Sequence, residues 1–336
     1  MSGDSKKLAE KLAVHAAEIH YYKWLQRQPP SAPRREPPNE NPRMRTRMHL
    51  FRFVPIWVLL VSLVGLGSVQ AGEEIETRFG EVYVKRESGP MKADIYLPAG
   101  DGPFPGVLVV HGGAWCMGTR AQLGSFAKIL ARENMVAVAI SYRLAPRHKF
   151  PAQIEDCKAA VRWMRSHAGQ LRIDPLQVGA FGYSAGAHLV TLLGTTDSDD
   201  GLEGVEDPSQ YPDTRLQAVA CGGMPCDFRV MELDSPRLAF WLGGTRRQVG
   251  ELYRQASPRA FATQDDPPMF FFHGEKDDLV PILSPRAMCD SLEAVGVQAE
   301  MYVVPKIGHN FAAFDRTALE KSSAFLAKTL AADGAP

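Results

Sequence analysis

The sequence predicts an α/β fold, with a mostly parallel central sheet, helices on both faces and a small cap. Between residues 80 and 330, short strand-like runs alternate with segments whose apolar residues recur at helical spacing. Several of these runs are apolar throughout, as are strands that a parallel sheet buries on both faces. Gly, His, Ser and Asp residues follow the runs, at the carboxyl ends where such sheets bind ligands.

The elements follow one another in a regular order. Strands are predicted at 81–85 and 92–96 as an antiparallel pair, then at 107–110, 135–140, 178–181, 216–221, 269–273 and 300–304. Apolar spacing predicts helices at 122–133, 154–167, 185–194 and 317–330. Residues 223–262 show no clear strand, so we expect them to form the cap within a domain of residues 72–336.

Composition and charge limit the classes of function. The chain has 336 residues, of which 45% are apolar and 23% charged, as in ordinary globular proteins. Residues 1–71 carry 11 Lys and Arg against 5 Asp and Glu, which leaves a net charge of −6 on the rest of this neutral chain. A mildly acidic body gives no electrostatic reason to bind nucleic acid and suits an uncharged substrate.

The cysteines do not form a disulfide framework, because there are five of them in a long chain. No pair has the spacing of a metal finger. Cys221 and Cys226 are close enough in sequence to pair after export, and two separate thiols are the alternative.

Residues 48–71 have the pattern of a signal peptide. The run 53–69 is apolar and uncharged, four arginines precede it, and the small residues Val69 and Ala71 follow where a signal peptidase cleaves. The run is short for a membrane span, which needs about 20 residues. We therefore expect an exported protein, periplasmic or secreted, with membrane contact only if the segment stays uncleaved as an anchor.

Residues 1–47 precede this signal pattern and are unusual in that position. They include a proline-rich stretch at 29–42, which is typical of a disordered segment. Two explanations compete. The true start is Met48 or Met44 and the upstream stretch is an over-extended reading frame, or residues 1–47 form a cytoplasmic tail ahead of an anchor.

A nucleophile motif follows the strand at 178–181. Gly182-Tyr183-Ser184-Ala185-Gly186 matches G-x-S-x-G, with a strand before it and a helix after it, which is the context of a nucleophile elbow. The two glycines stand where side chains would collide with the neighbouring strand and helix. The helix N-terminus behind Ser184 favours developing negative charge. The motif predicts Ser184 as a nucleophile, against the alternative of a simple Gly-Ser turn.

A glycine-rich loop after the strand at 107–110 supplies candidate oxyanion donors. It reads His111-Gly112-Gly113-Ala114-Trp115. A tetrahedral intermediate needs about two or three N–H donors near its oxygen, and glycines let the backbone approach closely. We expect donors at Gly113 and Ala114, with Gly112 as the alternative, and at Ala185 after the nucleophile. His111 is expected to hold the loop and not to act as a base.

The general base and its partner lie near the C-terminus. In the fold that carries this elbow, the acid follows the serine and the histidine comes last. Of nine histidines, only His309 comes after the candidate acids. His188 lies one helical turn after the serine and points away from it, and His273 precedes the acids. Adjacent Asp277 and Asp278 are both candidates, and residue chemistry alone does not separate them.

Together these motifs resemble those of a known group. The chain is similar to bacterial carboxylesterases of the α/β-hydrolase superfamily in five segments. They are the oxyanion loop, Ser141-Tyr142-Arg143-Leu144-Ala145-Pro146, residues 182–189, residues 273–281 and Gly308-His309. Two groups among them are similar to this sequence: the hormone-sensitive-lipase-like esterases and the bifunctional acetylxylan and feruloyl esterases. The resemblance covers about residues 90–330.

The resemblance implies the α/β-hydrolase fold, no metal or cofactor, and hydrolysis of short acyl esters such as acetyl or feruloyl groups on polysaccharide. It also selects Asp277, because the first aspartate of H-G-x-x-D-x-x-V-P is the acid in these relatives. Ala114 stands where the lipase-like enzymes have a third glycine, which favours the acetylxylan group.

The expected activity is ester cleavage through an acyl-enzyme on a small-molecule or polysaccharide ester. One alternative is a peptidase of the prolyl-oligopeptidase type, but about 20 residues before the first strand cannot build a propeller domain. Another is a silent ligand-binding relative, which would usually have lost the serine or the histidine. The short stretch 223–262 holds Arg229, Arg237, Arg246 and Arg247, which favours small acyl groups over long lipid chains. The oligomeric state does not follow from the sequence.

Overall fold

The computed structural model of the chain describes residues 75–332. The predictions for residues 1–47 and 48–71, a disordered or over-extended start and a signal peptide, lie outside the described residues. Of the helices in the described range, none is both long enough and apolar enough to span a membrane.

The described residues form one sheet of eight strands, in the order β1-β2-β4-β3-β5-β6-β7-β8. β1 pairs with β2 and β2 with β4 in antiparallel fashion, and every other neighbouring pair is parallel. The mostly parallel sheet predicted from the sequence is thus confirmed. The strands are β1 Glu76–Arg86, β2 Gly89–Leu97, β3 Phe104–Val110, β4 Val136–Ile140, β5 Ile173–Tyr183, β6 Ala218–Gly222, β7 Met269–Gly274 and β8 Ala299–Val304.

Helices connect the parallel strands. The helices predicted from apolar spacing correspond to four of them, Gly124–Arg132 (α1), Ala152–Ser166 (α2), Ala185–Gly194 (α4) and Arg316–Ala332 (α9). The others, which include Leu283–Ala294 (α7), had no sequence prediction. Short 3₁₀ turns occur at Arg120–Leu123, Ser198–Asp200, Pro208–Gln210 and Pro258–Ala260. The helices are α1 Gly124–Arg132, α2 Ala152–Ser166, α3 Ala168–Leu171, α4 Ala185–Gly194, α5 Ala239–Leu242, α6 Arg246–Gln255, α7 Leu283–Ala294, α8 His309–Ala312 and α9 Arg316–Ala332.

The sheet has a hydrophobic core on each face, because alternate residues of a strand point to opposite sides. On β3, Leu108 and Val110 belong to the core beneath α2, α4 and α7. Val107 and Val109 belong to the core beneath α1 and α9. All five residues of β4 are buried, which explains why its sequence is apolar without alternation.

The stretch between β6 and β7, which includes the predicted cap, contains α5 and α6. It packs back onto the domain through its own backbone and through buried side chains. The backbone N–H of Phe150 donates to the carbonyl of Trp241 at 2.9 Å. His188 Nε2 of α4 donates to the carbonyl of Ala256, at the end of α6, at 2.6 Å. This stretch is therefore fixed at both of its helices to the body of the fold.

A buried cluster of charged groups ties the loop after α4 to α2. Lys158 Nζ lies 2.7 Å from Glu203 Oε1, and the side chain of Lys158 is fully buried. Arg162 donates to the other carboxylate oxygen of Glu203, and the Thr214 hydroxyl donates to Oε1 at 2.8 Å. Burial lowers the pKa of Lys158, although Glu203 opposes the shift. Each charge in the cluster depends on its partners, because none of these three side chains has free access to water.

Cys221 and Cys226, the pair considered for a disulfide, are not joined to each other. The Cys226 thiol donates to the carbonyl of Ser284 at 3.0 Å. Cys221 Sγ lies 3.4 Å from the hydroxyl of Thr191. Both thiols are buried and point to different neighbours, so the alternative of two separate thiols matches the structure.

Candidate active site

Ser184 stands on a strained turn between β5 and α4. Its backbone angles are φ 55° and ψ −117°, outside the regions that non-glycine residues usually adopt. A Cβ on Gly182 would collide with the carbonyl of Gly186, and a Cβ on Gly186 would collide with the carbonyl of Val110. The two glycines therefore permit the close contact of strand and helix that presents the serine hydroxyl.

The structure brings Ser184, His309 and Asp277 together from three separate loops. His309 Nε2 lies 2.8 Å from Ser184 Oγ. His309 Nδ1 lies 2.6 Å from Asp277 Oδ2. Asp277 and His309 are buried, whereas Asp278, the alternative acid, is exposed. The arrangement is a continuous chain of hydrogen bonds from a carboxylate through an imidazole to a hydroxyl.

Asp277 is held as a carboxylate by four nearby donors. Its Oδ1 accepts from the backbone N–H groups of Leu279 at 3.0 Å and Val280 at 2.8 Å. Its Oδ2 faces His309 and also lies 3.2 Å from His273 Nε2. Burial by itself would raise the pKa of Asp277, but hydrogen bonds from the two histidines lower it well below its usual range. An ionised Asp277 favours a proton on Nδ1 of His309, which leaves Nε2 to accept from the serine.

His273 and Tyr183 support this chain of hydrogen bonds, and the sequence predicted no role for either residue. The single N–H on His273 Nε2 is shared between Asp277 and the carbonyl of Val280, which lies 2.6 Å away, and so closes the loop that carries Asp277. The buried phenol of Tyr183 donates to the backbone carbonyl of His309. Burial raises the pKa of Tyr183, so the phenol stays a neutral donor. The only sequence signal was position: His273 lies four residues before the acid, and Tyr183 lies inside the G-x-S-x-G motif.

The oxyanion loop has three consecutive residues with positive φ: Gly113 at 113°, Ala114 at 49° and Trp115 at 59°. The carbonyl of Gly113 accepts from the N–H groups of Cys116 and Met117, both at 3.0 Å, which closes the turn. Among the hydrogen bonds within residues 75–332, no acceptor pairs with the N–H of Gly113 or Ala114. These N–H groups are therefore available to a ligand.

Two other candidate donors, Ala185 and Gly112, lie beside Ser184. Ala185 is the first residue of α4, and the first N–H groups of a helix have no acceptor within it. A Cβ built on Gly112 would lie 3.3 Å from the Cβ of Ser184, so Gly112 lines the same place. Ala185 and Gly112 thus adjoin Ser184, and the role of Gly113 and Ala114 as donors stays a prediction.

His111 and His188 are buried and serve the surroundings of the site. His111 Nδ1 lies 2.7 Å from the carbonyl of Gly112, and its ring stacks on Tyr142 with centroids 4.3 Å apart. His188 Nδ1 accepts from the indole of Trp115 at 3.1 Å, and its Nε2 donates to the carbonyl of Ala256 at 2.6 Å. Burial lowers the pKa of each imidazole to about 4. Both rings are therefore neutral at pH 7, and neither contacts the serine hydroxyl.

An open groove of about 330 Å³ borders His309. Its apolar walls are Leu279 and Phe311, whose side chains are 49% and 76% exposed. A larger cavity of about 400 Å³ lies beside Leu216 and Pro267, at the amino-terminal ends of β6 and β7. That cavity includes no residue of the serine site, whereas the groove includes His309.

Comparison with known sequences finds a family and relatives that are named esterases. Residues 93–292 match the BD-FAE family. The chain is 32% identical to Esterase LipC of Mycobacterium tuberculosis over 63% of its length and 54% of LipC. It is 33% identical to the probable carboxylic ester hydrolase LipM of the same organism, over 62% of its length and 50% of LipM. The chain thus spans about half the length of these curated relatives.

Comparison with solved structures agrees. A truncated carbohydrate esterase from gut microbiota superposes with a TM-score of 0.70 at 24% identity, over 78% of this chain and 99% of that one, which shows the fold. A bifunctional GH43-CE protein of Bacteroides eggerthii gives 0.67 at 30% identity, over 76% and 35%. Native esterase 2 of Thermogutta terrifontis gives 0.65 at 28% identity, over 79% and 96%. The chain therefore has the α/β-hydrolase fold and belongs to the BD-FAE family.

Proposed function

We propose that the protein hydrolyses carboxylic esters through an acyl-enzyme on Ser184. The observation that carries this proposal is the chain of hydrogen bonds from Asp277 Oδ2 through His309 to Ser184 Oγ, at 2.6 and 2.8 Å. The esterase and carboxylic ester hydrolase names of the relatives support it.

In the first half of the reaction, Ser184 Oγ attacks the ester carbonyl while His309 Nε2 takes its proton. Asp277 stays ionised and stabilises the imidazolium that forms. The carbonyl oxygen becomes an oxyanion, which we assign to the N–H groups of Gly113, Ala114 and Ala185. The helix dipole of α4 points its positive end at the same place.

To complete the acylation, the proton on His309 Nε2 passes to the alkoxy oxygen as the carbon–oxygen bond breaks, and the alcohol leaves. Because the leaving oxygen must lie within reach of Nε2, the groove beside His309 is where the alcohol portion would lie. Water then loses a proton to His309 and attacks the acyl-enzyme, and Ser184 leaves with that proton. The carboxylic acid is released and the enzyme is restored.

We further propose that the acyl group is small, such as acetyl or feruloyl, and that its natural carrier is a polysaccharide. The resemblance of the motifs to acetylxylan and feruloyl esterases supports this, as does the bifunctional GH43-CE relative at 30% identity. The stretch between β6 and β7 is short and carries six arginines, which suits a small acyl group better than a lipid chain. The signal pattern at 48–71 supports export of the protein out of the cytoplasm, where it would encounter a polysaccharide substrate.

The experiment compares the full chain with Ser184→Ala on p-nitrophenyl esters from acetate to laurate and on acetylated xylan. The proposal expects fastest turnover of acetate, no turnover by the variant, and release of acetate from xylan. Paraoxon should add one diethylphosphoryl group to the wild-type chain and none to the variant, as measured by intact mass. Equal, negligible rates for the two proteins would exclude the esterase.

The assignment of the acid is tested by a matched pair of neighbouring substitutions. Asp277→Asn should lower kcat on p-nitrophenyl acetate by on the order of 10³–10⁴-fold, because the amide no longer favours the required tautomer of His309. Asp278→Asn should lower it far less, since that side chain is exposed. A larger loss for Asp278→Asn would exchange the two roles.

A further inference from the structure

The oxyanion loop needs an external support to keep its shape. Ala114 and Trp115 both have positive φ, a conformation that costs energy for residues with a side chain. If the loop relaxed, the N–H of Ala114, which we assign to the oxyanion, would change its direction. Something in the surrounding structure must therefore hold the end of this loop.

Trp115 is the point at which the loop is held. Its side chain is 6% exposed. Its indole lies face to face with that of Trp241, with ring centroids 3.8 Å apart and planes 2° from parallel. The indole N–H donates to His188 at 3.1 Å, and the backbone carbonyl accepts from the N–H of Ala145 at 2.9 Å. The ring and the backbone of Trp115 are thus both fixed.

Trp241 is itself a rigid support. Its side chain is fully buried, and its indole N–H donates to Oε1 of Gln153 on α2 at 3.1 Å. Phe150 and Phe228 meet its ring edge-on, each with centroids 5.6 Å away. Because α5 carries Trp241, the stretch between β6 and β7 contacts the oxyanion loop through this stacked pair, and Phe228 of the same stretch meets Trp115 edge-on with centroids 5.8 Å apart.

We infer that Trp241 is a positioning residue, which acts through Trp115 to hold the N–H of Ala114 in the oxyanion hole. The stretch between β6 and β7 then contributes to the chemical step and is more than a cover for the substrate. This inference rests on the proposed esterase function. A displacement of about 1 Å in a catalytic group lowers a rate by about 100-fold, so a small shift of the loop is measurable.

The test uses the full chain and the variants Trp241→Leu and Trp241→Phe, assayed on p-nitrophenyl acetate well below their unfolding temperatures. Trp241→Leu should lower kcat by about 10- to 100-fold, with KM within about twofold of wild type, because loss of an oxyanion donor acts in the transition state. Trp241→Phe keeps a stacked ring and should recover most of kcat. Trp163→Leu, at a partly buried tryptophan of α2 that does not touch the loop, should leave both constants unchanged.

A spectroscopic signal identifies the stack separately. Two parallel indoles couple their transitions, so the wild-type chain should give an exciton couplet in circular dichroism that both Trp241 variants lose and Trp163→Leu keeps. If Trp241→Leu does not fold, Trp115→Phe replaces it. That variant keeps a ring on Trp241, loses the N–H to His188, and should lower kcat more than KM.

The possible outcomes separate this inference from the proposed function. Loss of the couplet with unchanged kcat in Trp241→Leu would overturn the positioning role. A raised KM with unchanged kcat would also overturn it, because it would show that Trp241 serves substrate binding. Absence of Ser184-dependent hydrolysis in the wild-type chain would overturn the esterase proposal and this inference with it.

Discussion

The stability of this protein should fall as the pH drops from 7 to 4, and two buried histidines set the sign. His111 and His188 have a pKa of about 4 in the folded chain, lowered from 6.5 by burial. In this range the unfolded chain binds protons at both positions and the folded chain does not. Protons therefore favour unfolding, and the stability that the neutral rings permit at pH 7 is lost as the pH falls.

The magnitude follows from the size of the shifts. One pKa unit corresponds to about 1.4 kcal/mol, so each histidine lowers the free energy of unfolding by about 3 kcal/mol over this range. Asp266 acts in the opposite direction, because burial raises its pKa to about 6 in the folded chain. It returns at most about 2 kcal/mol as the pH falls, because its partial exposure to water weakens the effect. These three groups together therefore lower the free energy of unfolding by about 4 kcal/mol, a large part of a typical total of about 5–15 kcal/mol.

Urea unfolding, followed by tryptophan fluorescence at half-unit steps of pH, measures this loss. The His188→Gln variant is the control, since glutamine offers an acceptor and a donor but does not titrate. Its free energy of unfolding should fall by about 3 kcal/mol less than that of the wild-type chain between pH 7 and 4. Equal slopes for the two proteins, or a flat wild-type curve, would refute the reasoning.

Two further changes test the packing around the site. Lys158→Met should lower the free energy of unfolding by about 3–5 kcal/mol, because it leaves Glu203 buried without one of its partners. Lys128→Met, at an exposed position, should change the free energy of unfolding by less than about 0.5 kcal/mol. Equal urea midpoints for the two variants would contradict this prediction. Gly186→Ala should give no soluble, active protein, because its Cβ would collide with the adjoining strand, and Gly169→Ala, which has open space around it, should purify and unfold like the wild type. An active Gly186→Ala protein would show that strand and helix can separate.

Local chemistry explains what the sequence predicted well. The helix predicted at 185–194 has the same bounds in the structure, because the glycine-serine elbow marks its start. The candidates Ser184, Asp277 and His309 follow different strands of one parallel sheet, whose carboxyl ends share an edge. Their convergence was therefore predictable from strand order without any knowledge of contacts.

Other features were not predicted, for physical reasons. In α7, apolar residues do recur at helical spacing, but Pro285 in its first turn resembles a break in the pattern. Trp115 and Trp241 are far apart in the chain, and neither stands in a pattern that announces a partner. Lys158 is a charged residue on a helix, a type that is almost always exposed, and only Glu203 makes its burial tolerable.

The position of each strand within the sheet gives the site an uneven resistance to partial unfolding. Ser184 follows β5, which has a hydrogen-bonded neighbour on each side, whereas His309 follows β8, which is an edge strand with one neighbour. Edge elements open at lower free energy than central ones. As denaturant rises, the imidazole is therefore expected to leave first, while the serine elbow stays folded in the centre of the sheet. Loss of turnover then precedes global unfolding, and the protein passes through a state that keeps its nucleophile but has lost its base.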